Sequence, residues 1–224
     1  MQPSPVPQYI RNIAEWFRHE TPDLRTDVRL EARRPFCRLN ELKDALLVRS
    51  GLVAIVAGDG AVRRQIIALR YPDELILPFN AGTNATIEAI AESRLDIATM
   101  NAFDVALSAN RERQRALTQL LGRERAIACE WIARCGLRDS AGRIAHVLCE
   151  TYYRSGIDPT LEPLTLPFTQ HQLAEMTGQT SVNVNRMLAQ LEDRGLITRM
   201  VRNVIVKDWT ELRRLGGFDP AYLA

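Results

Sequence analysis

Short apolar runs separated by turn residues occupy positions 28–100, and their register changes every few residues, which predicts strands rather than helices. The clearest piece covers 46–56, followed by Ala57-Gly58-Asp59-Gly60 and a second β-rich run over 62–69. An Asp-Gly pair between two such runs is a strong hairpin signal. Further runs at 74–77, 86–90 and 94–98, with Gly82-Thr83-Asn84 as a loop, argue for a sandwich or jelly-roll barrel. Ahead of them, Tyr9, Ile10, Ile13, Ala14, Trp16 and Phe17 are spaced for an amphipathic helix over 9–19 that packs on the barrel.

At Phe103 the period switches. No proline interrupts 103–135, and Leu117, Leu121, Glu124, Ala128, Trp131 and Cys135 alternate spacings of four and three, the seam that packs helix on helix. A helix of that length exceeds the usual globular size, and self-association explains it economically. The same stripe could also cover the barrel, since a long helix has two faces. Gly122 within it predicts a kink or a close approach. Asp139 caps a further helix that runs through Ile144, Val147, Leu148 and Tyr152 to a stop at Ser155-Gly156. The three prolines in 157–167 read as a linker.

In the last domain, Thr169-Gln170-His171-Gln172 is a capping box. It opens a helix whose Leu173, Ala174 and Met176 face inward and which Gly178 closes. A second helix spans 180–194, with Val184, Met187, Leu188 and Leu191 at i, i+3, i+4 and i+7 as one buried stripe. Small Ala174 and turn-forming Gly178 predict a helix-turn-helix, and the runs flanking residues 200–203 predict a two-stranded wing.

Composition narrows the function classes. The chain has 224 residues, enough for one large domain or two modest ones, and its 46% hydrophobic and 25% charged residues sit at the globular average. No apolar run approaches the ~18 residues of a membrane span, and residues 1–8 lack the pattern of a signal peptide, so the expected location is cytoplasmic. Four dispersed cysteines, Cys37, Cys129, Cys135 and Cys149, predict free thiols. A net charge of +2 is too small to announce nucleic-acid binding by bulk electrostatics, so local geometry must carry that reading. Three scattered histidines, no Gly-rich phosphate loop and no His-Glu-x-x-His motif give an enzyme nothing to work with. His146 and Cys149, three apart on one face, read as a packed core pair, since a metal site needs three or four converging ligands.

The sequence resembles the Crp/Fnr family of bacterial transcription regulators over nearly its whole length. The residues that carry this are 168–178, Val184-Asn185-Arg186, Arg194-Gly195-Leu196-Ile197, 140–150 after the long helix, and the hairpin ending Arg63-Arg64-Gln65-Ile66. The resemblance implies an α+β chain: an N-terminal jelly-roll barrel of the cyclic-nucleotide-binding type over 1–102, a dimerisation helix over 103–136, and a winged helix-turn-helix over 137–224. It implies a homodimer on double-stranded DNA, and admits RNA polymerase as a protein partner and an unidentified small molecule as effector. Members that bind cyclic nucleotides present a phosphate-pairing arginine, yet no arginine or lysine lies between Tyr71 and Ser93, so cyclic AMP is not expected. Only Cys37 precedes residue 129 and no histidine lies between His19 and His146, which argues against an iron–sulfur cluster or haem; no cofactor or metal is expected.

The expected DNA-binding residues are Thr169, Gln170, Ser181, Val182, Asn183, Asn185, Arg186, Arg199 and Arg202, with helix 180–194 in the major groove. Arg186 projects opposite the buried stripe and suits a guanine; Val182 suits a thymine methyl; Arg199 and Arg202 suit phosphates. Each also has an ordinary reading, as one of 27 arginines or a lone surface valine. Leu117, Leu121, Ala128 and Trp131 are the expected dimer contacts. A helix-turn-helix that binds protein rather than DNA is the alternative function.

Overall fold

A computed structural model of the chain describes residues 6–59, 63–78, 84–159, 161–200 and 203–224. It divides into two compact units, Val6–Glu124 and Arg125–Ala224. Among the described residues no helix is long and apolar enough to cross a membrane.

The first unit opens with α1 (Gln8–Glu20), whose Ile10, Ile13, Ala14, Trp16 and Phe17 are buried as their spacing requires. Among the described residues eight strands follow: β1 (Arg25–Leu30), β2 (Pro35–Arg38), β3 (Asp44–Ser50), β4 (Val53–Asp59), β5 (Arg63–Arg70), β6 (Leu75–Ile76), β7 (Ala85–Ala89) and β8 (Ser93–Thr99). They form two four-stranded antiparallel sheets, ordered β1-β8-β3-β6 and β2-β7-β4-β5. Alternation along β3 explains its unbroken apolar run. Leu46 and Val48 enter the core shared with Val53, Ile55 and Ile87, whereas Ala45 and Leu47 pack with Ile13, Phe17 and Phe103 on the other face. The turn of the β4–β5 hairpin, including Gly60, lies outside the described residues.

The expected single helix over 103–136 is two helices, α2 (Met100–Ser108) and α3 (Arg111–Leu137). Thr99 caps the start of α2, and the break follows at Ala109 and Asn110, where Asn110 Oδ1 accepts the Glu112 N–H (2.7 Å) to start a new helix. Gly122 introduces no close approach, since a Cβ there would meet nothing within 4 Å.

The second unit continues with α4 (Ser140–Ser155), β9 (Leu164–Thr165), α5 (Gln170–Thr177), α6 (Ser181–Asp193), β10 (Ile197–Met200), β11 (Asn203–Val206) and α7 (Trp209–Gly216). The expected two-stranded wing has a third strand, because the proline-bearing segment read as a linker contributes β9 to the sheet β10-β11-β9. Tyr152 secures it: its hydroxyl donates to the Val204 carbonyl (2.7 Å) and accepts the Leu164 N–H (2.9 Å). Helix α7 packs closely on α4. A Cβ on Gly216 would sit 2.7 Å from the His146 backbone nitrogen.

His146 is a buried core residue beside Cys149, also buried. Its Nδ1 donates to the Gly216 carbonyl (3.1 Å) and its Nε2 faces the Tyr222 hydroxyl (3.1 Å). Burial pushes its pKa from 6.5 down to about 4, with Arg134 and Arg138 adding to that and Glu150 opposing it. Between those values the unfolded chain binds the proton and the folded chain does not, so stability is lost as pH falls through the window. Unfolding free energy is expected to drop by about 2 kcal/mol between pH 7 and pH 5, above the range where carboxylates titrate. Urea titrations of the parent and of His146→Gln check this: the variant should lose most of the slope, and an unaltered slope would assign it elsewhere.

Candidate nucleic-acid interface

The second helix of the helix-turn-helix offers one face to the protein and the other to solvent. Val184, Met187, Leu188 and Leu191 are buried, while Val182 is 82% exposed and Asn185 and Arg186 are also exposed. Thr180 caps this helix by accepting the Asn183 N–H (3.2 Å).

Helix α5 is held at both ends. At its start the capping box forms: the Thr169 hydroxyl accepts the Gln172 N–H (3.2 Å), and Gln172 Oε1 accepts the Thr169 N–H (2.9 Å). At its end Gly178 adopts φ +63°, the left-handed conformation that lets the chain turn sharply into α6. Two arginines serve the last carbonyls, where the helix dipole favours cations. Arg134 donates to Met176 O (2.9 Å) and Arg143 to Thr177 O (3.3 Å). Arg134 is fully buried, with its guanidinium carbon 4.2 Å from the Trp131 ring centroid. Burial pushes its pKa down, while Glu150 opposes the shift.

Residues 142–215 match the family model of the Crp-like helix-turn-helix domain. Over 173 residues, 75% of this chain, the sequence is 30% identical to the nitrogen fixation regulation protein FixK of Rhizobium meliloti strain 1021, covering 76% of that protein. The chain belongs to the Crp/Fnr family. It is 28% identical over 156 residues to a probable transcriptional activator of Rhizobium leguminosarum bv. viciae, covering 68% of this chain and 65% of that protein's length. Its fold is similar to that of FixK2 from Bradyrhizobium japonicum, with TM-score 0.75 at 20% identity, over 85% of this chain and 96% of that one. It is also similar to CooA from Carboxydothermus hydrogenoformans, with TM-score 0.73 at 17% identity, over 92% and 90%. This Crp/Fnr protein is a DNA-binding transcription regulator, not an enzyme.

The structure gathers most of the expected DNA-binding residues on one side of α5 and α6, but with unequal freedom. Ser181 is half-buried at the start of α6, next to Val182. Exposed Gln170, at the start of α5, brings its amide nitrogen within 3.5 Å of Asn185 Oδ1. Arg199 is engaged within the protein. It donates through Nε to Glu192 (2.7 Å) and through Nη1 to Asn185 (3.2 Å), bracing the wing on α6. Its backbone N–H and guanidinium hold the Glu192 carboxyl below the usual carboxylate range. Arg202 lies outside the described residues.

Along α3 the buried positions are Ala116, Leu120, Arg123, Ile127, Trp131 and Arg134, while Leu121 (41%), Ala128 and Ile132 (74%) are exposed. Of the four expected dimer contacts, Leu121 and Ala128 face solvent, Leu117 is half-buried against the core under α1, and Trp131 is interior, donating to Glu150 (2.9 Å). A helix turns about 100° per residue, so positions four apart differ by about 40° around the axis. That offset is enough to carry 117, 124 and 131 toward the covered side.

Proposed function

We propose that this regulator acts as a homodimer on an inverted-repeat operator, with α6 of each protomer in the major groove. The observation that carries the reading is the solvent-exposed outward surface of α6, where Val182, Asn185 and Arg186 stand opposite a buried stripe. Arg186 reads a guanine through O6 and N7, Val182 contacts a thymine methyl, and Thr169, Gln170, Ser181, Asn185, Arg199 and Arg202 supply phosphate or base-edge contacts, while Asn183 stands beside Arg186 on the same helix. Leu121, Ala128 and Ile132 form the dimer face, with side-chain-free Gly122 beside them on exposed α3 surface. The regulator works in the cytoplasm, with RNA polymerase as the protein partner of the bound dimer.

Selection of operators from random duplex DNA tests this. Half-sites centred about one helical turn apart are expected. Affinity should fall steeply with salt, since each neutralised phosphate releases counterions. A protein-binding module would show no steep salt slope and no sequence preference.

Cyclic AMP is not the effector in this reading. Sequence 71–93 offers no cation for a cyclic phosphate, and Arg123 is already held by Glu74 (2.9 Å), both buried. Calorimetric titration with cyclic AMP should give no saturable heat and leave operator affinity unchanged; stoichiometric binding would overturn this.

A further inference from the structure

Asn183 sits on the recognition helix, yet its side chain is engaged on three sides by protein. Its amide nitrogen donates to Ser140 Oγ (3.2 Å) and to Gln179 Oε1 (2.5 Å), while its Oδ1 accepts Nη2 of Arg186 (2.7 Å). Both amide hydrogens are thereby used, and the oxygen is given to the guanidinium. Gln179 is itself tied back by a bond from its amide nitrogen to the Ser140 carbonyl (3.1 Å). A continuous chain of hydrogen bonds therefore runs from the first residue of α4, through the turn before α6, to the arginine on the outward surface.

We infer that Asn183 is a positioning residue for Arg186, and that Ser140 and Gln179 set the guanine preference without touching DNA. The inference rests on Arg186 being the reading residue. An exposed arginine samples many rotamers, and ordering it on a base edge costs free energy at the moment of binding. Asn183 lies one turn before Arg186 on α6, the i, i+3 spacing at which side chains meet. Holding the guanidinium there removes part of the ordering cost in advance. The anchor is needed because an asparagine free to rotate could not restrain its neighbour. With both amide hydrogens committed to Ser140 and Gln179, the position of Oδ1 is determined. A site lacking the guanine does not order the arginine, so the benefit appears as discrimination rather than as general affinity. The brace on the other side of α6, from Arg199 to Glu192 and Asn185, does not include Arg186 and serves the wing instead.

The test uses the full chain and two duplexes, the selected operator and the same operator with the guanine of one half-site replaced. Binding is followed by fluorescence anisotropy over a range of salt for the parent, Asn183→Ala, Ser140→Ala, Ser140→Thr, Arg186→Ala and the Ser140→Ala/Arg186→Ala pair. Asn183→Ala and Ser140→Ala should each lower the discrimination ratio about 2- to 12-fold, the span expected for releasing one restrained long side chain. Ser140→Ala should leave affinity for the replaced duplex and the salt slope unaltered, and Ser140→Thr, which keeps the hydroxyl, should retain the parent ratio. Arg186→Ala should abolish discrimination, and adding Ser140→Ala to it should cost nothing more, a non-additivity that a general loosening of the domain would not produce. If Arg186→Ala abolishes the ratio while Asn183→Ala and Ser140→Ala keep it, the positioning role is overturned. An increased ratio in Asn183→Ala would also overturn it, by showing that the asparagine withholds the arginine from DNA. If Arg186→Ala itself keeps the ratio, the assignment of the reading arginine fails first and the inference falls with it.

Discussion

Replacing Leu121 and Ile132 together with glutamate is expected to convert the regulator into a folded monomer with little operator affinity. Both side chains are exposed in the protomer, so the substitutions leave its own cores intact. Glutamate is also a good helix former, which keeps α3 continuous. In the proposed two-fold dimer each substitution appears twice on the same contact surface, placing unpaired carboxylates where apolar side chains would meet. An uncompensated buried charge costs about 3–5 kcal/mol, enough to raise the dimer dissociation constant by roughly two to four orders of magnitude. Ile132 carries most of this. Its neighbours one turn away are Ala128, Cys129, Cys135 and Gly136, none able to neutralise a carboxylate, whereas position 121 has Arg125 within reach. Sedimentation velocity with circular dichroism reads the result; an unchanged dimer of normal helicity would place the interface elsewhere. Operator binding should fall with dimerisation, since a lone protomer engages one half-site and its phosphates only.

Arg186→Ala should erase the guanine preference while leaving salt-sensitive binding to any duplex. A bidentate arginine on guanine contributes about 1–3 kcal/mol of discrimination, and an inverted repeat presents the contact twice, so about 2–6 kcal/mol is at stake across the operator. Arg186→Lys is not conservative here, because an ammonium cannot span O6 and N7 with a planar fork. Val182→Ser should weaken only the neighbouring thymine preference, since it removes a methyl contact and leaves the arginine untouched. Selected half-sites without an invariant guanine, or an Arg186→Ala protein as selective as the parent, would remove this assignment.

The parts of the molecule legible in the residue order are those stabilised by neighbours in sequence. The capping box at Thr169 and Gln172, the left-handed Gly178 and the buried stripe from Val184 to Leu191 all depend on groups a few positions apart, and each forms as its pattern predicts. The α1 spacing and the β4–β5 pairing follow for the same reason. Strands β1 and β2 were harder to read because they are short, lie at sheet edges and expose most of their residues, leaving no clean alternation.

By itself, then, the sequence determined the helix-turn-helix and the exposure of Val182 and Arg186, because caps, turns and apolar periodicity are local physics. Only the tertiary structure decided how those residues are held. The segment with three prolines became β9 because β11 lies beside it, and Tyr152 bonds to both. Arg199 is braced by Glu192 and Asn185, whose side chains reach it from the adjacent α6. Trp131 turned inward because Glu150, on a different helix, accepts its indole N–H. Asn183 meets Ser140 across 43 positions of sequence. Periodicity along one element cannot reveal such partners, because a side chain's contacts across the fold depend on where another part of the chain has come to lie.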